Sequence, residues 1–65
     1  MAVTNLQIER LKKELTQWDI AQVIGCNRAY ISMLENSREI PSEEVARKLE
    51  EYFNKPIDYL LKKIE

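Results

Sequence analysis

The polar side chains of this 65-residue sequence are suited to gripping an anion, not to making or breaking covalent bonds. Histidine is absent and Cys26 is the single cysteine, so the usual residues assemble neither a nucleophile with its base nor a four-ligand zinc site. The sequence therefore reads as a non-enzyme with no metal and no cofactor. What it offers instead is hydrogen-bond donors at the heads of two short helical patterns. Gln17 begins the first, where its side chain and the backbone N–H groups can hold a phosphate at the positive end of the helix dipole. Arg28 begins the second and presents two parallel donors.

The elements that must position these two residues are marked by their caps. Thr16 is placed to accept from the free N–H groups of a helix start, and Asp19 three positions on makes an acidic variant of the capping box. Ile20, Ala21 and Ile24 then line one face while Gln17, Asp19 and Gln22 look outward. Gly25, the only glycine, stands where a helix end favours left-handed backbone, and Asn27 is a good cap for a second helix. In that helix Ile31 and Leu34 form the buried stripe, leaving Arg28, Ala29, Ser32 and Met33 on another face. The stretch from Thr16 to Asn36 thus predicts two short helices and a tight turn.

A first helix is expected over residues 4–13, opened by a Thr4-x-x-Gln7 capping box, with Leu6, Ile8, Leu11 and Leu15 turned inward. Ser42 caps a fourth helix whose first turn holds Glu43 and Glu44 and whose stripe is Val45, Ala46, Leu49, Tyr52 and Phe53. Asn54 and Lys55 interrupt it. Pro56 suits the first turn of a fifth helix, along which Ile57, Leu60, Leu61 and Ile64 continue at helical spacing. Five helices and no strand are expected, in one all-α domain over residues 1–65, with no repeat or linker to divide it.

At this length one core rarely yields more than about 3–5 kcal/mol without a staple or a partner, which favours oligomerisation. No apolar run is long enough to span a membrane and no leader pattern is evident, so a cytoplasmic protein is expected. The net charge of −1 is unusual for a binder of nucleic acid, but it is unevenly spread. Residues 1–38 carry five basic and four acidic groups, whereas the remainder carries five basic and seven acidic.

Thr16, Gln17, Ala21, Gly25, Ile31, Glu35 and Asn36, with Arg38 and Pro41 beyond them, fall at the spacing of a known motif. The sequence resembles the lambda-repressor-like (Cro/CI, XRE) helix-turn-helix family from about Leu6 to Leu61. Two departures stand out, since Glu14 and Ser37 occupy positions where the family usually has glycine. The resemblance implies a compact five-helix domain whose second motif helix, about residues 27–36, enters the major groove of double-stranded DNA. By motif position it assigns base contacts to Asn27, Arg28, Ala29 and Met33, with Arg28 suited to the O6 and N7 acceptors of guanine. It assigns the sugar-phosphate backbone to Gln17, Asn36 and Arg38, with Tyr30 within reach of a phosphate. Arg10 and Glu35 match an ion pair that ties the first helix to the end of the recognition helix. Related repressors often dimerise through the last helix, which points to Tyr59, Leu61 and Ile64 as an interface and to a palindromic operator; completion of the monomer core is the alternative for all three.

Trp18, directly after Gln17, is placed either to flank the DNA backbone or to cover the first helix with its ring, of which packing on the helix is the expectation, and Cys26 is expected to be a buried, inert thiol. Function follows as sequence-specific DNA binding by a small, nucleoid-associated repressor. The competing reading is a protein-interaction module, antitoxin-like or an anti-regulator, on the same fold. It is motivated by the acidic second half and by Glu39 and Ile40, which occupy loop positions that are frequently basic in the family.

Overall fold

The computed structural model describes residues 3–64. Helix α1 spans Asn5–Lys12, α2 Gln17–Ile24, α3 Arg28–Glu35, α4 Glu43–Phe53 and α5 Ile57–Leu60. Strands β1 (Val3–Thr4) and β2 (Lys63–Ile64) pair antiparallel, Val3 opposite Ile64 and Thr4 opposite Lys63. All five helices contribute to one core: Leu6 from α1, Ile20 and Ile24 from α2, Ile31 and Leu34 from α3, Leu49 and Phe53 from α4, and Leu60 from α5. Each fully buried Leu or Ile here is worth about 1.5–3 kcal/mol of transfer free energy.

The caps predicted around the turn are in place. The Thr16 hydroxyl accepts from the Asp19 N–H at 3.1 Å while Asp19 Oδ2 accepts from the Thr16 N–H at 2.9 Å. Gly25 takes the left-handed conformation at φ 89°, its N–H donating to the Ala21 carbonyl. Asn27 Oδ1 accepts from the Tyr30 N–H at 2.8 Å, and Ser42 Oγ accepts from the Val45 N–H at 3.3 Å.

The two ends of the domain differ from the sequence expectation. The ribbon of β1 and β2 corrects the reading without strands, and α5 stops at Leu60, so Ile64 lies on a strand rather than a helix. The cause is the uncapped head of α1: the Asn5 N–H, which has no partner within its own helix, donates to the Lys62 carbonyl at 3.0 Å and holds the chain alongside. Drawn into this ribbon, Thr4 turns inward; it makes no cap bond, and its buried hydroxyl has no partner. Pro56 stands at the N-cap of α5 rather than inside its first turn, and the Ile57 N–H is taken by Glu50 Oε2 of α4 at 2.7 Å.

Two apolar residues also face the other way. Leu11 is 53% exposed, because Arg10 and Glu9 occupy the inward positions on α1 and the next residue lies about 100° round the helix. Trp18 is 63% exposed and does not cover α1 as expected.

Candidate nucleic-acid interface

The site is built on α2 and α3, whose heads are joined by side chains. Glu35, at the end of α3 and 1% exposed, lies against Arg10 of α1, with Arg10 Nε at 2.5 Å from Oε2 and Nη2 at 3.3 Å from Oε1. Arg10 Nη1 also donates to the Leu15 carbonyl at 2.7 Å, so the guanidinium fixes the turn between α1 and α2 as well. On the outer side, Gln17 Nε2 donates to Glu35 Oε1 at 2.9 Å. Gln17 Oε1 in turn accepts from Arg28 Nη1 at 3.1 Å. A single chain of hydrogen bonds therefore runs from a buried ion pair through the first residue of α2 to the first residue of α3. The donor-rich outer end is held in place by a charge pair that cannot easily move.

Arg28 and Ala29 are exposed on the outer face of α3, with Met33 next to them one turn on. Asn27 is exposed too, but its carbonyl oxygen is already used as the cap of α3. Asn36 Nδ2 bonds back to the Ser32 carbonyl at 2.8 Å, and Arg38 is exposed in the loop that follows. Tyr30 is half-buried against the core, and its hydroxyl accepts from the Ser42 N–H at 3.3 Å, which ties α3 to the head of α4. Cys26 is half-buried in the turn, and burial pushes its thiol above the ordinary range, with Lys48 opposing weakly. A thiol so placed is a poor nucleophile at neutral pH.

Of the residues named at the chain ends, Tyr59 is half-buried and its hydroxyl donates to Glu9 Oε2 at 2.9 Å. Leu61 is half-buried and Ile64 is exposed. Glu9, itself buried, also faces Lys12 and Lys55; the Tyr59 hydrogen bond first, and then these two ammonium groups, hold its carboxyl below the usual range against the opposing effect of burial. Sequence reasoning missed this cluster, the link from Gln17 to both Glu35 and Arg28, and Lys48 Nζ, which bonds the Ile24 carbonyl at 3.2 Å at the end of α2. Apart from the Lys12–Glu9 pair, three residues apart on α1, nothing in residue spacing marks them, since each depends on how two elements pack together. A cation close to the negative end of α2 is the one other feature with a general physical signature.

Two short helices joined by a glycine turn, the second presenting its outer face and its head, define a helix-turn-helix unit. A family model described as helix-turn-helix matches residues 6–60. The chain belongs to the lambda-repressor-like (XRE) helix-turn-helix family, whose members are DNA-binding regulators. No curated protein sequence matches it significantly. None of its helices, among the described residues, is long and apolar enough to cross a membrane.

Proposed function

We propose that this DNA-binding regulator is a repressor that reads a palindromic operator as a homodimer, in the cytoplasm, as one domain. The observation that carries the reading is the bond between Gln17 and Arg28: it makes the head of α2, suited to a phosphate, and the head of α3, suited to a base edge, one continuous surface. On this reading α3 lies in the major groove with Arg28 directed to a guanine and Ala29 and Met33 against thymine methyl groups. Asn27 adds a contact at the groove edge. Gln17, Asn36, Arg38 and the Tyr30 ring edge follow the phosphates. Two such helices about 34–36 Å apart match one turn of DNA, and Leu61 and Ile64 supply apolar surface for the two-fold contact. Tyr59 contributes ring surface only, its hydroxyl being committed to Glu9.

The competing reading of a protein-interaction module draws on Ile40, 81% exposed in the loop before α4 with Glu39 beside it. Selection of bound duplexes from a random pool, repeated from low to moderate salt, separates the two. An enriched palindrome whose affinity falls steeply with salt supports the repressor; absence of any enrichment at every salt concentration overturns it in favour of a protein partner.

A further inference from the structure

The exposure of Trp18 is the feature of this surface that the reading above leaves unused. Its ring stands one residue from Gln17 at the head of α2, on an open groove of about 640 Å³. Leu11, Leu15 and Trp18 form the apolar wall of that groove, and Arg10, Gln17 and Arg28 form the polar one. With Leu11 and Trp18 each more than half exposed, this is a paired apolar surface rather than a lone side chain in water.

Resting on the DNA-binding reading, we propose that this groove is a seat for the sugar-phosphate strand, in which Trp18 and Leu11 pack against deoxyribose beside the phosphate held by Gln17. Three observations converge on that occupant. The groove shares Gln17 and Arg28 with the candidate interface, so a strand that reaches either residue runs past the indole. No carboxylate lines it, and with Arg10 compensated by Glu35 beneath the surface its free charge is the positive one of Arg28, which suits a polyanion. The indole is a donor with no acceptor, apolar across its face and polar at one edge. A strand offers the complement, C–H groups on the sugar and acceptor oxygens on the phosphate. A protein chain seated here would instead cover Arg28 and compete with DNA.

The contact is neutral and touches no base, which gives it a signature distinct from the other assigned contacts. Trp18→Ala weakens every duplex alike, by about fivefold to tenfold, less than a fully buried hot-spot tryptophan because the groove is open. The dependence of affinity on salt keeps its slope, because no cation is removed and no additional counterion stays bound. Trp18→Phe keeps a ring without the N–H and recovers part of the loss.

Trp18 is the only tryptophan, so its emission reports the contact directly. The experiment titrates wild type, Trp18→Ala and Trp18→Phe with a labelled duplex carrying the selected site and with a scrambled one, at several salt concentrations. Anisotropy of the label and emission of the indole are followed together, and thermal melts establish that both variants are folded. A uniform loss with an unchanged slope, and an indole emission that shifts when DNA is added, support the strand seat. Wild-type binding with Trp18→Ala equal to it and emission unmoved overturns the seat alone, and gives the groove to a protein. A loss confined to the selected site also overturns it, since the ring would then act by holding Arg28. If wild type binds neither duplex at the lowest salt, the DNA reading itself fails, and that outcome is distinguishable from the others.

Discussion

Two adjacent residues of α1 anchor two different polar clusters. Arg10 reaches Glu35 on α3, and from there the bonds continue through Gln17 to Arg28 on the candidate DNA face. Glu9 reaches Tyr59 at the other end of the fold, with Lys12 and Lys55 beside it at the solvent edge. The first cluster is a buried pair of full charges with a polar side chain stacked outside it. The second joins one charge to a neutral hydroxyl, with ammonium groups that are about half exposed or more. Position in the fold decides the consequence. The first cluster ends in surface donors and can hold them in register, whereas the second, with its two ammonium groups in water, ties α1 to α5 and to the turn before it.

The largest effect should come from breaking the sealed cluster. Arg10→Ala or Glu35→Ala strands a buried charge and is expected to cost about 3–5 kcal/mol, read as a fall in the midpoint of chemical unfolding. Replacing both residues together by apolar ones of similar volume should cost far less, because no charge is then left unpaired. If the double replacement is as damaging as either single one, the pair acts through packing rather than through charge. Either way, the double variant should bind DNA less well than its stability suggests, since Gln17 loses the carboxylate that positions it.

The outer end of the same cluster sets the next effect. Arg28→Ala should leave the melting temperature almost unchanged, the residue being exposed, and should remove about 1–3 kcal/mol of preference at one base pair. Arg38→Ala, by contrast, should weaken all sequences similarly and lower the salt slope by about one unit. Competition between the selected duplex and single-base variants measures the first, and a salt series the second. Equal preference in wild type and Arg28→Ala would remove the base-reading role from the head of α3.

The open cluster should be felt through pH. The Glu9 carboxyl is held low by the Tyr59 hydrogen bond and then by Lys12 and Lys55, while in the unfolded chain it returns to the ordinary range. In acid the unfolded state therefore binds more protons. The stability this group contributes is complete above the ordinary carboxylate range and is lost as pH falls through the depressed folded value. Glu9→Gln and Tyr59→Phe should each lower the melting temperature at neutral pH and flatten its decline in acid. Asp19 is lowered in the same direction by the Thr16 N–H, so some acid sensitivity should survive in both variants. A decline as steep as in wild type would show that the ends of the fold do not depend on this cluster.

The same division between regions governs how much could be read from sequence. Around the turn, Thr16, Asp19, Gly25 and Asn27 each act within four residues of their own position, so residue type and spacing were enough to place α2 and α3. The stripe of α4 was legible for the same reason, Leu49 and Phe53 lying one turn apart on the buried face. At the ends the decisive partners are far apart in sequence. The Asn5 N–H takes the Lys62 carbonyl, Glu50 caps α5, and Tyr59 finds Glu9, none of which leaves a periodic trace. Leu11 and Trp18 misled for a related reason, because an apolar side chain announces burial whether or not a neighbour is there to cover it. At the candidate site the helix heads were legible, but the bond that joins Gln17 to Arg28 is a property of how α2 and α3 cross.

The smallest effects lie in the backbone, where the helix ends offer a comparison of their own. The chain is left-handed at Glu14 after α1, Gly25 after α2, Ser37 after α3 and Asn54 after α4, with φ of 57°, 89°, 61° and 57°. Around Ser37 the bonds follow the Schellman pattern, the Arg38 N–H donating to the Met33 carbonyl and the Ser37 N–H to that of Leu34. Glu14 and Leu15 repeat it on Leu11 and Arg10. A residue with a Cβ gives up roughly 1–2 kcal/mol in this conformation, while glycine gives up roughly 0.5–1 kcal/mol of extra chain entropy on folding. Ser37→Gly and Glu14→Gly should therefore each stabilise the domain by up to about 1 kcal/mol, and Asn54→Gly by less, since asparagine tolerates the left-handed region. Gly25→Ala is the reverse case: its new Cβ would meet nothing nearer than Lys48 Nζ at 3.8 Å, so a loss there reports backbone strain alone. Thermal melts of the four variants should rank Ser37→Gly and Glu14→Gly above wild type and Gly25→Ala below it. A Ser37→Gly variant no more stable than wild type would mean that the strain at the end of α3 is offset by a contact of the serine itself, and the loop carrying Arg38 would then be held by its sequence rather than by its turn.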